Sequence, residues 1–360
     1  MTRGRAAIVT AGIAAGAVAG GVIGRTVIQR RRHIDPEAHE ALALLPPEDL
    51  GSVRSFDGTE LAVRAAGPAE APVIVFAHGF SLDLTTWHYQ WTAFSERFRC
   101  VLFDFRSHGQ SQAAVGGDVS IGAMAHDLAR VIELAAGDGR ALVVGHSMGG
   151  MTALALAESR PDVFTGRVAG VALAGVASSG LLRGAMGSVT GLLRPRLGSV
   201  REAARRVNRV RRYVVSRPGD IGGLAARMSQ FGPDASHHLV DYVVGLAARA
   251  PSSVWTDGLA GLMDLDLRHA VRHVRQPALV VVGEHDRITP PAAALELTGE
   301  LSDGRLEVIS GAGHIAMMER HEEFNRALMS FADEVFQIKR GRKRGNSSAG
   351  PPTKTKRRIA

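Results

Sequence analysis

From about residue 50 to residue 337 the hydrophobic positions follow two alternating rhythms. Short, nearly unbroken apolar runs occur at Pro72–Ala77, Arg99–Phe105, Ala141–Val144, Val168–Ala174, Pro277–Val282 and Arg305–Ile309. Between them lie stretches with helical spacing of apolar positions: Ile121–Ala135, Met148–Arg160, Pro291–Leu301 and Glu319–Phe336. Continuous apolar blocks, as opposed to strict alternation, mark strands covered on both faces. Strands separated by helices in turn predict a mostly parallel α/β sheet. Ahead of them, Val53–Ala65 predicts a strand pair turning at Asp57-Gly58. One interval, about 178–270, breaks the rhythm and contains no strand-like run. It predicts a helical cap over the C-terminal edge of the sheet, where such sheets bind ligands. Within it, Leu192–Tyr213 is dense in arginine, as expected of a solvated helix face, and Leu239–Ala250 is an apolar helical stretch.

The two ends read differently. Residues 6–24 are 19 uncharged residues flanked by Arg3, Arg5, Arg25 and Arg30–Arg32, with glycine at 12, 16, 20 and 24 on one helical face. The length matches a bilayer crossing and the glycine row suits close helix packing in lipid. Residues 1–34 are therefore expected to act as a membrane anchor that keeps the body in the cytoplasm. A cleaved signal peptide and a flexible Ala/Gly arm are the alternatives, with a cytoplasmic or secreted protein as the corresponding location. Residues 338–360 form a basic tail rich in Lys, Arg, Gly, Ser and Pro, of a composition expected to be disordered.

Charge then changes the picture. The chain of 360 residues has a net charge of +8. Six basic groups lie in residues 1–34 and nine in 339–360, with no acid in either, so the body holds 28 basic against 35 acidic groups. A mildly acidic body makes nucleic acid an unexpected partner. The single cysteine, Cys100, excludes a disulfide framework and a multi-cysteine zinc site. The pair His237-His238 has no third ligand at metal spacing and reads as surface, so no metal is expected. No phosphate-cradling or dinucleotide-binding glycine loop stands in the required context, and no cofactor is expected.

The sharpest chemical signal is Gly145-His146-Ser147-Met148-Gly149, placed between an apolar strand and a helical stretch. Small residues at 145 and 149 permit a tight strand-to-helix turn, which lifts Ser147 into an exposed position at a helix N-terminus. A serine hydroxyl needs a base, and the base needs an orienting acid. His314 follows the last strand-like run in a glycine loop, Gly311-Ala312-Gly313. Asp286 follows the strand Pro277–Val282, with Glu284 as the rival acid two residues earlier. All three positions fall at the C-terminal edge of the predicted sheet.

Over residues of about Val53 to Phe336 the chain resembles the α/β-hydrolase fold family, in its single-domain esterase, lipase and perhydrolase branch. The matching pieces are His78-Gly79-Phe80, the run Asp104–Ser111 (DFRSHGQS), GHSMGG at 145–150, GEHD at 283–286 and GAGH at 311–314. The resemblance implies the triad order Ser147, Asp286, His314 and an oxyanion hole built from the backbone N–H groups of Phe80 and Met148. There is no His-Gly-Gly-Gly run, which argues against the hormone-sensitive-lipase-like branch. Serine at the nucleophile position argues against epoxide hydrolases and dehalogenases. Ser107-His108 replaces the usual second small residue, with no catalytic consequence expected. His78, His108, Arg106, Asp104 and Ser111 are expected to pin loops, His146 to pack under the elbow, and Cys100 to be a buried inert thiol.

The expected chemistry is cleavage of a carboxylic ester through an acyl-enzyme. The partner would be a small-molecule acyl ester, lipidic if residues 6–24 anchor the chain. An acyltransferase, a thioester, lactone or C–C bond hydrolase on the same triad, and a non-catalytic binding protein on the same scaffold are the alternatives.

Overall fold

The computed structural model describes residues 35, 37–179, 227–263 and 265–338. The expectations for residues 1–34, for the basic stretch Leu192–Tyr213 and for the tail after 338 lie outside those residues. Among the described residues no helix is long and apolar enough to cross a membrane. The anchor expected at residues 6–24 lies outside the residues to which this applies.

Eight strands form one sheet: β1 (Glu48–Arg54), β2 (Glu60–Ala66), β3 (Val73–Ala77), β4 (Arg99–Phe103), β5 (Ala141–His146), β6 (Val168–Ala174), β7 (Ala278–Gly283) and β8 (Gly304–Ile309). Their spatial order is β1-β2-β4-β3-β5-β6-β7-β8. β1 and β2 are antiparallel, as the Asp57-Gly58 turn predicts, with Gly58 at φ +91°. β2 also runs antiparallel to β4, and every pair from β4 to β8 is parallel. Every residue of β5 and β7 is buried, the signature of strands covered on both faces.

The side chains alternate between two cores. Val75, Val101, Phe103 and Val143 face α2 (Ile121–Ala136) and α3 (Met148–Ser159). Ile74, Phe76, Cys100, Leu102 and Val144 face Trp87, Phe94 and α6 (His321–Val335). α1 (His88–Phe94) lies on this second side, as does α4 (His237–Arg249) of the cap through Leu239, Val243 and Leu246. α5 (Pro291–Glu300) packs Ala294 and Leu297 into the first core. The described part of the cap is helical apart from one isolated bridge between Ser179 and Asp266.

Register decides what meets at the rim. Ala77 pairs with Gly145, His146 with Ala174, Ala174 with Val281, and Gly283 with Ile309. The segments that follow β3, β5, β6, β7 and β8 therefore emerge side by side at the C-terminal edge. The strand order also reverses there, on either side of β3, which is where open α/β sheets form ligand crevices.

Candidate active site

Ser147 stands between β5 and α3 with φ 50° and ψ −116°, a left-handed conformation that a side-chain-bearing residue seldom adopts. Such strain costs of order 1–3 kcal/mol and is held by surrounding contacts. Its N–H donates to the Ala174 carbonyl at 2.8 Å, and Met151 N–H donates to the Ser147 carbonyl at 3.0 Å. The turn leaves no room for side chains beside it. A Cβ at Gly145 would meet Gly150 Cα at 2.5 Å, and one at Gly149 would meet the Ala77 carbonyl oxygen at 2.2 Å. The two flanking glycines singled out in the sequence are thus demanded by backbone approach.

Asp286 and His314 are brought together. His314 Nδ1–H donates to Asp286 Oδ2 at 2.8 Å, with the two side chains almost fully buried. The other Asp286 oxygen accepts from the N–H groups of Ile288 and Thr289, each at 2.8 Å. The Thr289 hydroxyl donates to Oδ2 at 2.7 Å. Burial alone would raise the Asp286 carboxyl. The His314 charge and hydrogen bond, and the two donations from Thr289, overrule it and hold the carboxyl below its ordinary value. Glu284, the rival acid, is exposed and accepts from the Ser310 hydroxyl and the Gly311 N–H, so it takes no part in this pair.

His314 also sits beside the elbow. A Cβ on Gly175, at the end of β6, would lie 3.1 Å from the His314 Cε1 and Nδ1 atoms. The rings of His146 and His314 are 4.9 Å apart, and His146 Nε2–H donates to the His314 carbonyl at 3.0 Å. Burial, then the nearby His314 charge, depresses His146 to about 3, so it is a neutral brace. With Nδ1 committed to Asp286, Nε2 is the His314 ring nitrogen outside that pairing.

Met148 opens α3, where the first N–H groups have no intrahelical acceptor. Among the described residues no acceptor is paired with the N–H of Phe80 or of Met148. The Phe80 loop is fixed from below. Phe105 N–H donates to His78 Nε2 at 3.0 Å, and His78 Nδ1 lies 2.8 Å from the Gly79 carbonyl. The Phe80 ring meets the Trp255 ring edge-on at 5.2 Å, which brings a cap residue against this loop.

Among the remaining candidates, Arg106 is fully buried and pairs bidentately with Asp127, at 2.7 and 2.6 Å, and with Asp57 at 2.8 Å. Asp104 accepts from Leu84 and Gln110 N–H, and the Ser111 hydroxyl donates to the Asp104 carbonyl at 2.5 Å. These residues pin loops, as read. Burial pushes the Cys100 thiol up to about 12, consistent with an inert core residue. His237 and His238 are half-buried at the surface, where the start of α4 meets Asp35 and Glu40. His238 Nε2–H donates to the Glu40 carbonyl at 2.8 Å. One exposed group of Glu158, His269 and His273 has ligand atoms close enough for a metal ion, at the far end of α3 from Ser147. Glu158 lies 111 positions before His269, so spacing along the chain does not show the group. Thr289 and Glu319 were also overlooked. Glu319 accepts from the Gly313 N–H beside His314 at 2.9 Å.

The comparisons agree with this fold. The alpha/beta hydrolase family pattern matches residues 74–327. The "Putative carbamate hydrolase RutD" of Caulobacter sp. (strain K31) is 25% identical over 286 residues, covering 77% of this chain and 96% of that protein. The non-heme chloroperoxidase of Streptomyces lividans is 28% identical, covering 78% of this chain and 99% of that one. A thermophilic esterase from Thermogutta terrifontis superposes with a TM-score of 0.64 at 26% identity, covering 79% of this chain and 99% of the esterase. With a family match across most of the chain and a sheet of the same architecture, this protein belongs to the alpha/beta hydrolase family.

Proposed function

We propose that the protein is a serine hydrolase that cleaves a carboxylic ester through an acyl-enzyme. The observation that carries this reading is the buried 2.8 Å pairing of His314 Nδ1 with Asp286, beside the strained turn of Ser147. Ser147 Oγ attacks the ester carbonyl carbon while His314 Nε2 takes its proton. Asp286 fixes the imidazole tautomer and stabilises the imidazolium. The oxyanion is received by the N–H groups of Phe80 and Met148, each such donor being worth on the order of 3 kcal/mol in the transition state. His314 then protonates the leaving alcohol. In the second half-reaction it deprotonates water, which attacks the acyl carbonyl and frees Ser147.

Phe80 and Trp255 supply an apolar wall beside the donors, which favours a moderately hydrophobic acyl group. The esterase relative favours an ester as substrate. A carbamate is the second reading, carried by the RutD relatives, since the same attack on a carbonyl carbon would open it. The test is labelling by a fluorophosphonate probe, together with hydrolysis of p-nitrophenyl esters of rising acyl length and of an aryl carbamate. Wild type is expected to label once per chain and to turn over esters, with both lost in Ser147→Ala. Undiminished labelling of Ser147→Ala, or an unlabelled wild type, overturns the reading. Turnover of the carbamate alone replaces the ester with the second substrate class.

A further inference from the structure

The loop that carries His314 is fastened to the cap by an unusually close backbone contact. His314 N–H donates to the Gln230 carbonyl at 2.6 Å. A Cβ on Gly313 would lie 2.5 Å from the Phe231 carbonyl carbon, and one on Gly232 would lie 2.0 Å from the Gly311 carbonyl oxygen. Two backbone segments therefore touch with no side chain between them, residues 230–232 of the cap and 311–314 of the core.

Glu319 bridges these segments. Its Oε1 accepts from Gly313 N–H at 2.9 Å and its Oε2 from Gly232 N–H at 2.7 Å. Each oxygen holds one side of the contact, and the side chain is only 8% exposed. The Glu319 carboxylate is separate from the Asp286–His314 pair and has no role in the steps above. Burying a carboxyl here is costly unless its acceptors are used, and both are.

We propose that Glu319 is a positioning residue for His314, clamping the base loop to cap residues 230–232 so that the imidazole is aligned only when the cap is docked. This inference rests on the serine-hydrolase reading. The logic is geometric. The His314 backbone is held at its N–H by the cap, at its carbonyl by His146, and one residue earlier by Glu319. The His146 contact belongs to the core alone, whereas the other two pass through the cap or its clamp. Loosening the clamp leaves Asp286, Ser147 and both oxyanion donors in place and displaces the base. A displacement of about 1 Å at a reacting group can cost on the order of 100-fold in rate.

The experiment measures kcat per active site, with sites counted by exhaustive fluorophosphonate titration, in the full chain on a p-nitrophenyl ester. Glu319→Gln keeps the shape and one acceptor oxygen, and Glu319→Leu removes both. Gly232→Ala pushes the two segments apart, its Cβ meeting the Gly311 carbonyl oxygen at 2.0 Å and crowding Glu319 Oε2 at 3.2 Å, while leaving the carboxylate itself in the chain. The expected result is a fall in kcat per titrated site of about 10-fold for Glu319→Gln and about 100-fold for Glu319→Leu, on the scale of a misplaced base. Gly232→Ala is expected to fall between them, and KM to stay within about twofold throughout, as for loss of a transition-state contact alone. A merely structural role lowers the number of titratable sites and leaves kcat per site at the wild-type value. That outcome in both Glu319→Gln and Gly232→Ala overturns the inference. An inactive, unlabelled wild type instead overturns the serine-hydrolase reading itself.

Discussion

Two buried aspartates follow parallel strands at the same rim, Asp104 after β4 and Asp286 after β7, and their surroundings drive them in opposite directions. Both are shielded from water to nearly the same degree. Asp104 receives two backbone N–H groups, from Leu84 at 2.8 Å and Gln110 at 2.7 Å. Burial nevertheless pushes its carboxyl up to about 7, with the Asp83 carboxylate adding to the rise. Asp286 receives two backbone N–H groups as well, and in addition the Thr289 hydroxyl and the His314 imidazole. The imidazole makes the difference, because it can become a cation at contact distance, and Asp286 is held below its ordinary value. Equal burial therefore yields a raised carboxyl in one region and a depressed one in the other. Asp104 also has an imidazole nearby, His78 Nε2 at 3.9 Å from Oδ1, but that nitrogen already accepts the Phe105 N–H and burial drives the ring toward its neutral form, so the distinction lies in whether the partner can gain a proton.

The comparison can be broken most sharply by exchanging each acid. Asp286→Asn is expected to lower kcat by about 10³-fold or more, since the wrong imidazole tautomer is then favoured. Asp104→Asn is expected to stay within about threefold of wild type, a local loop change only. Steady-state kinetics on a p-nitrophenyl ester reads both, and a reversal of that order would undo the contrast. Next in size is a change beside Asp104. Arg106→Ala strands the fully buried Asp127 and is expected to cost about 3–5 kcal/mol of stability in denaturant unfolding. Its kcat per folded molecule is expected to hold.

Thr289→Val removes one donor from Asp286 while keeping the shape. It is expected to lower kcat by about tenfold, which corresponds to roughly 1.4 kcal/mol. Smallest is a difference in pH dependence. A carboxyl at about 7 in the folded protein, against an ordinary value of 3.8, binds its extra proton in the native state. Unfolding free energy therefore falls as pH rises from about 4 to 7 and is flat above, by up to about 1.4 kcal/mol per pH unit. Asp104→Asn is expected to remove that slope relative to wild type. The depressed Asp286 acts oppositely. Its contribution is present above its ordinary value and is lost as pH falls through the folded one. Chemical denaturation of the two Asn variants from about pH 2 to pH 8 distinguishes the signs, Asp104→Asn losing a slope above about pH 4 and Asp286→Asn one below it.

The legible features follow from chain-local physics. Unbroken apolar blocks such as Ala141–Val144 and Pro277–Val282 became the fully buried strands β5 and β7, displaced by only a residue or two at their ends. Gly145 and Gly149 around Ser147 were readable because backbone crowding leaves glycine little alternative. Strand order placed Asp286 and His314 at one edge, and contact between them follows from the pairing of Gly283 with Ile309. Roles created by long-range contact were not legible. Thr289 looked like an ordinary loop residue, and Glu319 looked like the start of a helix. Thr289 acquires its place when His314 arrives beside Asp286, and Glu319 when Gly232, 87 positions away, folds against it. The partners of His238, Asp35 and the Glu40 carbonyl, were not legible for the same reason, lying about 200 positions away.

The most direct test of the central claim is to trap the covalent intermediate. Wild type is mixed with a p-nitrophenyl ester, quenched in acid during the first turnovers, digested and mapped by mass spectrometry. The triad reading predicts one acyl group per chain, carried on Ser147 and absent from Ser147→Ala. Acyl groups on another residue, or full turnover in Ser147→Ala, would contradict it.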